Sequence, residues 1–146
     1  MQTDTFQTTK GNLEIRFLGH SSLIFFWDGK TIHVDPVSAE ADYSKLPKAD
    51  MILITHDHYD HLDLKAVGLM KTAATKIIGS PMVGKQIQGV IVLKNGDSQT
   101  VDNLKIEAVP AYNIVNMSAP GKPFHPKGVG NGYVITFGDK RMYKIG

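Results

Sequence analysis

Titratable side chains crowd directly behind one short apolar run of the chain. The run is Met51-Ile52-Leu53-Ile54, whose length and β-branched content predict a buried strand. Three histidines and two aspartates follow within the six residues 56–61. Packing so many polar groups at the end of an apolar strand is unfavourable unless something compensates their desolvation. A lone histidine near a core is usually a hydrogen-bonded structural residue, but this cluster predicts a metal site.

Four side chains of this string are candidate metal ligands, and they are His56, His58, Asp60 and His61. Alternate residues of an extended segment point the same way, so His56, His58 and Asp60 could converge while His61 reaches a neighbouring position. That geometry suits one metal ion or two. Imidazole and carboxylate ligands favour zinc, and manganese or iron also fit because the sequence contains no cysteine.

Composition sets limits on the class of protein. The 146 residues are 42% hydrophobic and 21% charged, which predicts one globular domain over residues 1–146. A net charge of +2 with scattered lysines argues against a nucleic-acid partner. Residues 1–12 lack the apolar core of a signal peptide, and no run approaches the ~20 apolar residues of a membrane span. We therefore expect a soluble cytoplasmic protein.

The first half of the chain predicts a β-meander followed by the metal string. Alternating patterns predict strands over 13–18, 23–27 and 31–34, with Asp28-Gly29 as a hairpin turn and Pro36 ending the third strand. Residues 38–50 are expected to form a loop. A helix of roughly three turns should follow the string, with Asp60 near its start, where the helix dipole favours a carboxylate.

The second half alternates short strands with turns. We expect a strand over 76–79, and then a helix from a Ser80 N-cap and Pro81 to about residue 88. Asn95-Gly96 after the apolar run 90–93 predicts a hairpin. Strands over 99–101 and 104–109, a long functional loop over 110–130, and a last hairpin over 131–137 and 141–145 complete the prediction. This order indicates an α/β (α+β) protein with a mixed β-sheet and flanking helices.

The string His-x-His-x-Asp-His resembles the signature of the metallo-β-lactamase fold superfamily. Four further segments resemble its branch of metal-dependent hydrolases that includes ascorbate-6-phosphate lactonase. These segments are Phe17 to Ser22, Val34-Asp35-Pro36, Val109 to Tyr112 and Tyr133-Val134-Ile135. The resemblance runs from about Leu13 to the last residue and implies the N-terminal portion of an αββα sandwich.

The resemblance also carries an expectation about the ligand set. In the superfamily a Gly-Asp-Thr segment follows the last strand present here, its Asp bridges two metals, and a further His lies later. Because this sequence stops at Gly146, we expect a domain truncated at its C-terminal end. The first metal would keep three histidines, and the second would retain His61 and Asp60.

The third histidine of the first metal has two candidate positions. In related sequences it often directly follows the Ala-Tyr pair, where this chain has Asn113. His125, within 110–130, is the candidate replacement, and the alternative is that His125 is an exposed loop residue.

Three other polar residues lie near predicted strand ends. Asp35 could orient His56 or His58, as carboxylates commonly do for metal-bound imidazoles, or could simply cap a turn. His20 could approach the site or be a structural histidine. His33 lies inside a predicted strand and is assigned no function.

The predicted chemistry is metal-dependent hydrolysis of a small-molecule ester, lactone, amide or phosphodiester. A divalent ion lowers the pKa of a bound water toward ~7 and polarises the substrate oxygen. Asp60 is the expected catalytic residue, binding the second metal and orienting the attacking water. A non-catalytic metal-binding or assembly fragment is the alternative, and a nuclease would need a clamping domain and basic groove that the sequence lacks. Uncovered apolar strand surface would favour a homo-oligomer.

Overall fold

The described residues form two large β-sheets and one small pair of strands. The computed structural model describes residues 2–19, 22–55, 63–110, 117–119, 122–123 and 131–144. The larger sheet has seven strands in sequence order. They are β1 Gln2–Thr8, β2 Gly11–Gly19, β3 Ser22–Trp27, β4 Lys30–Val34, β5 Met51–Leu53, β6 Lys76–Gly79 and β7 Ile91–Val92. Neighbours from β1 to β4 are antiparallel, whereas β4 to β7 are parallel.

The second large sheet is antiparallel and has the order β13-β12-β9-β8. Its strands are β8 Ser98–Val101, β9 Leu104–Pro110, β12 Asn131–Phe137 and β13 Lys140–Lys144. A small antiparallel pair joins β10 Met117–Ala119 to β11 Lys122–Pro123. The helices are α1 Leu64–Met70 and α2 Pro81–Gly84, with a 3₁₀ turn over Tyr43–Lys45. Within these described ranges, no helix has the length and hydropathy needed to span a membrane.

The larger sheet is apolar on both faces where it is parallel. Met51 and Leu53 of β5 pack into a core shared with the second sheet. Ile52 and the following Ile54 point the opposite way and pack against α1, α2 and the 3₁₀ turn. A strand buried on both faces needs a continuous apolar run, which explains the sequence Met51-Ile52-Leu53-Ile54.

Several sequence predictions are confirmed. The opening meander, β6, and the final hairpin of β12 and β13 form where expected. Asp28 and Gly29 both have positive φ, as the turn between β3 and β4 requires. Ser80 caps α2 by accepting a hydrogen bond from the Val83 N–H, and Pro81 is the first helical residue.

The helices and the polar N-terminus differ from prediction. Residues 2–8 form the edge strand β1, although their composition carries no apolar alternation. Helix α1 is seven residues long because its N-cap is Asp63, further along than Asp60. Helix α2 ends at Gly84 rather than near residue 88, and turns continue to Gly89, whose φ is +83°.

Asn95-Gly96 forms a turn but not the predicted hairpin. Strand β7 before it belongs to the larger sheet and β8 after it to the second sheet. The Gly96 N–H donates to the Ala108 carbonyl, so the chain leaves this turn already aligned with β9. Turn chemistry sets the local reversal, whereas pairing with β6 or with β9 decides which sheet each flanking strand joins. The prediction of a loop over residues 110–130 was wrong for β10 and β11, which lie within that range and pair with each other.

His33 of β4 is a buried histidine on the helix-covered face. Its Nε2 lies 3.0 Å from the Pro47 carbonyl oxygen and therefore donates, while Nδ1 has no hydrogen-bond partner among the described residues. Its ring lies 5.7 Å from the Tyr43 ring. Burial lowers the pKa of His33 from 6.5 to about 4, against the smaller raising effect of the Pro47 bond.

This lowered pKa makes stability depend on pH. Between pH 6.5 and about 4 the unfolded chain binds a proton at His33 that the folded chain does not, so stability is lost as pH falls. We expect this one residue to remove about 3 kcal/mol of unfolding free energy across that window. Urea denaturation of wild type and His33→Gln should show their stability difference shrinking by that amount from pH 7 to pH 4. A pH-independent difference would contradict the assignment.

Candidate metal centre

The predicted ligands themselves lie outside the described residues. This applies to His56, His58, Asp60, His61 and His125, and also to His20 and Asn113. The structure does describe the residues on either side of the string, Thr55 before it and Asp63 after it. Within the described ranges, no three His, Asp or Glu side chains form a group that could hold a metal.

Asp35 holds the residue that immediately precedes the string. Its carboxylate is fully buried, and Oδ1 accepts a hydrogen bond from the Thr55 N–H at 2.8 Å. The other oxygen, Oδ2, accepts from Thr55 Oγ1 at 2.6 Å. A single side chain therefore fixes both the backbone and the hydroxyl of Thr55, which is also fully buried.

The backbone of Asp35 is itself tied down. Its φ is +46°, in the left-handed region that Asp and Asn adopt more readily than other non-glycine residues. Its N–H donates to the Leu53 carbonyl at 2.9 Å, and Ser22 Oγ donates to its carbonyl at 2.5 Å. Strained backbone held in this way is typical of functional sites. Asp35 thus does more than cap a turn, and its effect on His56 or His58 stays a prediction.

Ile54, one residue earlier, is hydrogen-bonded from two other strands. Its N–H donates to the Ile78 carbonyl of β6 at 2.9 Å. Its carbonyl accepts from the hydroxyl of Tyr133, on β12 of the opposite sheet, at 2.8 Å. The chain therefore reaches His56 from a backbone fixed on three sides, by β4, β6 and the second sheet.

Asp63 fixes the chain on the other side of the string. Its Oδ1 accepts from the Lys65 and Ala66 N–H groups at the start of α1, and its Oδ2 accepts from the Ser38 N–H at 2.8 Å. Burial opposes ionisation of Asp63, but the hydrogen bonds from Ser38, Ala66 and Lys65 outweigh it and lower its pKa. The described residues on each side of the string are therefore held by a carboxylate, Asp35 before it and Asp63 after it.

An open groove lies beside this second anchor. Its volume is about 560 Å³, and it lies between α1 and the loop that follows Asp35. The groove is lined by Ser38, Ala39, Glu40, Ala41, Asp42, Tyr43, Ser44, Lys65 and Leu69. Glu40 also packs against Gly19, whose φ of +146° favours glycine, and a Cβ at this position would meet the Glu40 carboxylate. The groove loop therefore contacts the residues next to His20, as well as Asp63.

A larger mixed sheet packed on an antiparallel sheet, with a histidine-rich string behind a central parallel strand, defines the metallo-β-lactamase class of fold. Residues 14–146 match the family model described as the Beta-lactamase superfamily domain, and the chain belongs to that family.

Similar proteins are named as metal-dependent hydrolases. The chain is 27% identical over 143 residues to a UPF0173 metal-dependent hydrolase of Methanopyrus kandleri, covering 92% of this chain and 61% of that protein. It is 32% identical to a UPF0173 metal-dependent hydrolase of Thermococcus onnurineus, again covering 92% and 61%. The chain thus spans about three fifths of the length of these relatives. The finer resemblance to ascorbate-6-phosphate lactonase stays a prediction.

Solved structures share the fold. A candidate metal-dependent hydrolase from Parabacteroides distasonis superposes with a TM-score of 0.91 at 46% identity, covering 99% of this chain and 66% of that one. Igni18, a metallo hydrolase from Ignicoccus hospitalis, gives a TM-score of 0.66 at 26% identity, covering 92% and 60%. These similarities confirm the predicted mixed α/β fold of the metallo-β-lactamase type.

The sequence did not indicate that Thr55 and Tyr133 support the site. One weak sequence feature indicated a supporting role for Thr55, namely a polar residue between a buried strand and the string. Tyr133 belongs to a strand motif that gives no sign of a partner, and Ile54, which accepts its hydrogen bond, is 79 residues away. Contacts of that separation follow from the packing of the two sheets, which local patterns do not encode.

We expect Asp35→Ala to lower the free energy of unfolding by about 2–4 kcal/mol, because two buried donors of Thr55 lose their carboxylate acceptor. Asp35→Asn should cost about 1 kcal/mol, since an amide oxygen can still accept from the Thr55 N–H and Asn tolerates positive φ. Chemical denaturation of both variants provides the measurement. Equal stabilities for the two would contradict the role given to the Thr55 contacts.

Proposed function

We propose that the chain functions as a metal-dependent hydrolase whose divalent metal is bound by the string behind β5. The ligands we assign are His56, His58, Asp60 and His61, with His125 as the third histidine of the first metal. The observation that carries the proposal is the anchoring of Ile54 and Thr55 by Asp35, Ile78 and Tyr133. A flexible segment loses conformational entropy when it is ordered around a metal, and this loss is smaller when the residues that precede it are already fixed.

The donor set fits a divalent transition metal. Imidazole nitrogens and a carboxylate are the ligands that zinc accepts, and manganese or iron bind the same set. No cysteine is available to favour a softer metal. The buried Asp35 hydrogen-bonds Thr55, the residue directly before the string. Carboxylates commonly support the ligands of metal sites from such nearby positions.

A divalent ion at this site would supply an acidified water and polarise the scissile bond of an ester, lactone, amide or phosphodiester. We assign Asp60 the role of binding the second metal and orienting the attacking water. The groove beside α1 offers a small-molecule substrate a surface close to Asp63, two residues after the string, and Lys65 is the cation among its lining residues. The similar proteins named as hydrolases support this reaction class.

A non-catalytic metal-binding or assembly role is the second candidate. It is favoured by the partial span of the chain, which covers 61% of the length of these relatives. The two candidates differ in metal stoichiometry: a two-metal hydrolase binds close to two ions per chain, whereas a partial site binds one.

We expect His58→Ala to lose at least one equivalent of metal, because it removes an imidazole that we assign to the first metal. Tyr59→Phe is the matched control within the string, since it removes a hydroxyl but no assigned ligand. Elemental analysis after equilibrium dialysis against zinc, manganese and iron gives the stoichiometry and the preferred ion. Equal metal content in wild type and His58→Ala would refute the proposal.

We also propose that the chain forms a homo-oligomer through the edge of β1. The other edges of the two large sheets are short or charged: β7 has two residues, β8 has four, and β13 carries Lys140 and Arg141. Strand β1 is seven residues long, its register with β2 is unbroken, and Asp4 is its single charged residue. Long uncharged edges of this kind pair readily with another strand.

Exposed aromatic residues lie beside this edge. Phe6 of β1 is 41% exposed and pairs with the core residue Leu13, while Phe17 of β2 is 39% exposed and pairs with the core residue Leu23. Both aromatic side chains therefore lie on the core-facing side of the larger sheet. An antiparallel pairing of β1 with β1 of a second copy would place Thr5 near its equivalent and extend this apolar strip across both copies.

Thr5→Lys should convert the oligomer to a monomer, because two lysines would then face each other at the centre of the strand pair. Thr100→Lys makes the same change on the exposed edge strand β8 and should leave the oligomer intact. Sedimentation velocity on the three proteins gives their masses. A monomeric wild type, or an oligomeric Thr5→Lys, would overturn the β1 interface.

A further inference from the structure

Tyr133 connects the second sheet to the exit of β5. Its side chain is fully buried, and its hydroxyl donates to the Ile54 carbonyl at 2.8 Å. Ile54 is also fully buried and lies two residues before His56. A buried carbonyl needs a hydrogen-bond donor, and here that donor comes from the facing sheet instead of from a neighbouring strand.

This contact differs from the others that hold the end of β5. Asp35 and Ile78 fix residues 54–55 within the plane of the larger sheet, from the strands on either side. The Tyr133 hydroxyl comes from β12, so it ties the same backbone to the second sheet. Without it, the first residues of the string could move toward or away from the second sheet while keeping their in-plane contacts.

We propose that Tyr133 is a positioning residue for the metal string, acting on the metal ligands through the Ile54 carbonyl. The inference rests on the proposed function, because it assigns Tyr133 a role in metal affinity as well as in folding. Outer residues that orient metal ligands typically change affinity 10–100-fold when removed. Since Tyr133 acts through one backbone carbonyl, we expect an effect near the lower end, about tenfold.

The test compares two variants that each lose one side-chain hydroxyl, at opposite ends of β5. Tyr133→Phe removes the hydroxyl that donates to Ile54 at the exit and keeps the aromatic ring in the core. Thr75→Val removes a hydroxyl that donates to the Ala49 carbonyl at 2.6 Å, just before the entry of β5. Thr75→Val also removes the acceptor of the Thr72 N–H, so it disturbs at least as many hydrogen bonds as Tyr133→Phe. Only Tyr133→Phe changes a contact at the end of β5 that leads to the string.

Metal affinity and metal-site geometry are the first readouts. Competition with a chromophoric chelator should show zinc affinity about tenfold weaker for Tyr133→Phe, and within about twofold of wild type for Thr75→Val. The visible spectrum of the cobalt-substituted protein, which reports ligand geometry, should shift for Tyr133→Phe alone. Wild-type affinity and spectrum in Tyr133→Phe, or equal losses in both variants, would overturn the inference.

Amide hydrogen exchange on metal-free protein separates this inference from the proposed function. Peptides spanning residues 54–62 should exchange faster in Tyr133→Phe than in wild type, while Thr75→Val should leave them unchanged. If wild type binds no metal, the proposed function fails. Unchanged exchange in Tyr133→Phe would then also refute the positioning role, whereas faster exchange confined to those peptides would support it.

Discussion

The structure depends on how the end of β5 is held. Ile54 and Thr55, the two residues before the string, are fully buried. Their backbone N–H and C=O groups therefore need hydrogen-bond partners within the protein. Asp35 supplies two acceptors, Ile78 supplies one, and Tyr133 supplies a donor from the opposite sheet. Losing any of these would leave a buried polar group without its partner, which costs more than an ordinary hydrogen bond contributes.

The parallel part of the larger sheet explains why these groups meet. Because β4, β5 and β6 run parallel, their carboxyl ends lie at one edge of the sheet. Asp35 follows β4, Ile54 and Thr55 follow β5, and the cap residue Ser80 follows β6. Ligand sites of open α/β sheets commonly lie outside this edge. Thr55, the residue that precedes the string, therefore lies where other buried polar residues support it.

Much of the fold followed from local patterns. Alternation and turn residues located the meander and the last hairpin, and Ser80-Pro81 located the start of α2. The edge strand β1 was missed because its Thr- and Gln-rich sequence has no apolar face, and it is paired on one side by β2. The hairpin predicted at Asn95-Gly96 was wrong for another reason: a turn sequence does not encode which sheet the next strand will join.

The sequence by itself predicted the chemistry of the candidate site, because a string of His and Asp after an apolar strand is the pattern expected around a bound cation. It also determined the central parallel strand, since Met51 to Ile54 are apolar on both faces. Only the tertiary structure decided what supports the site. Asp35 and Tyr133 lie 20 and 79 residues from their partners, and contacts that distant exist only once the two sheets are packed.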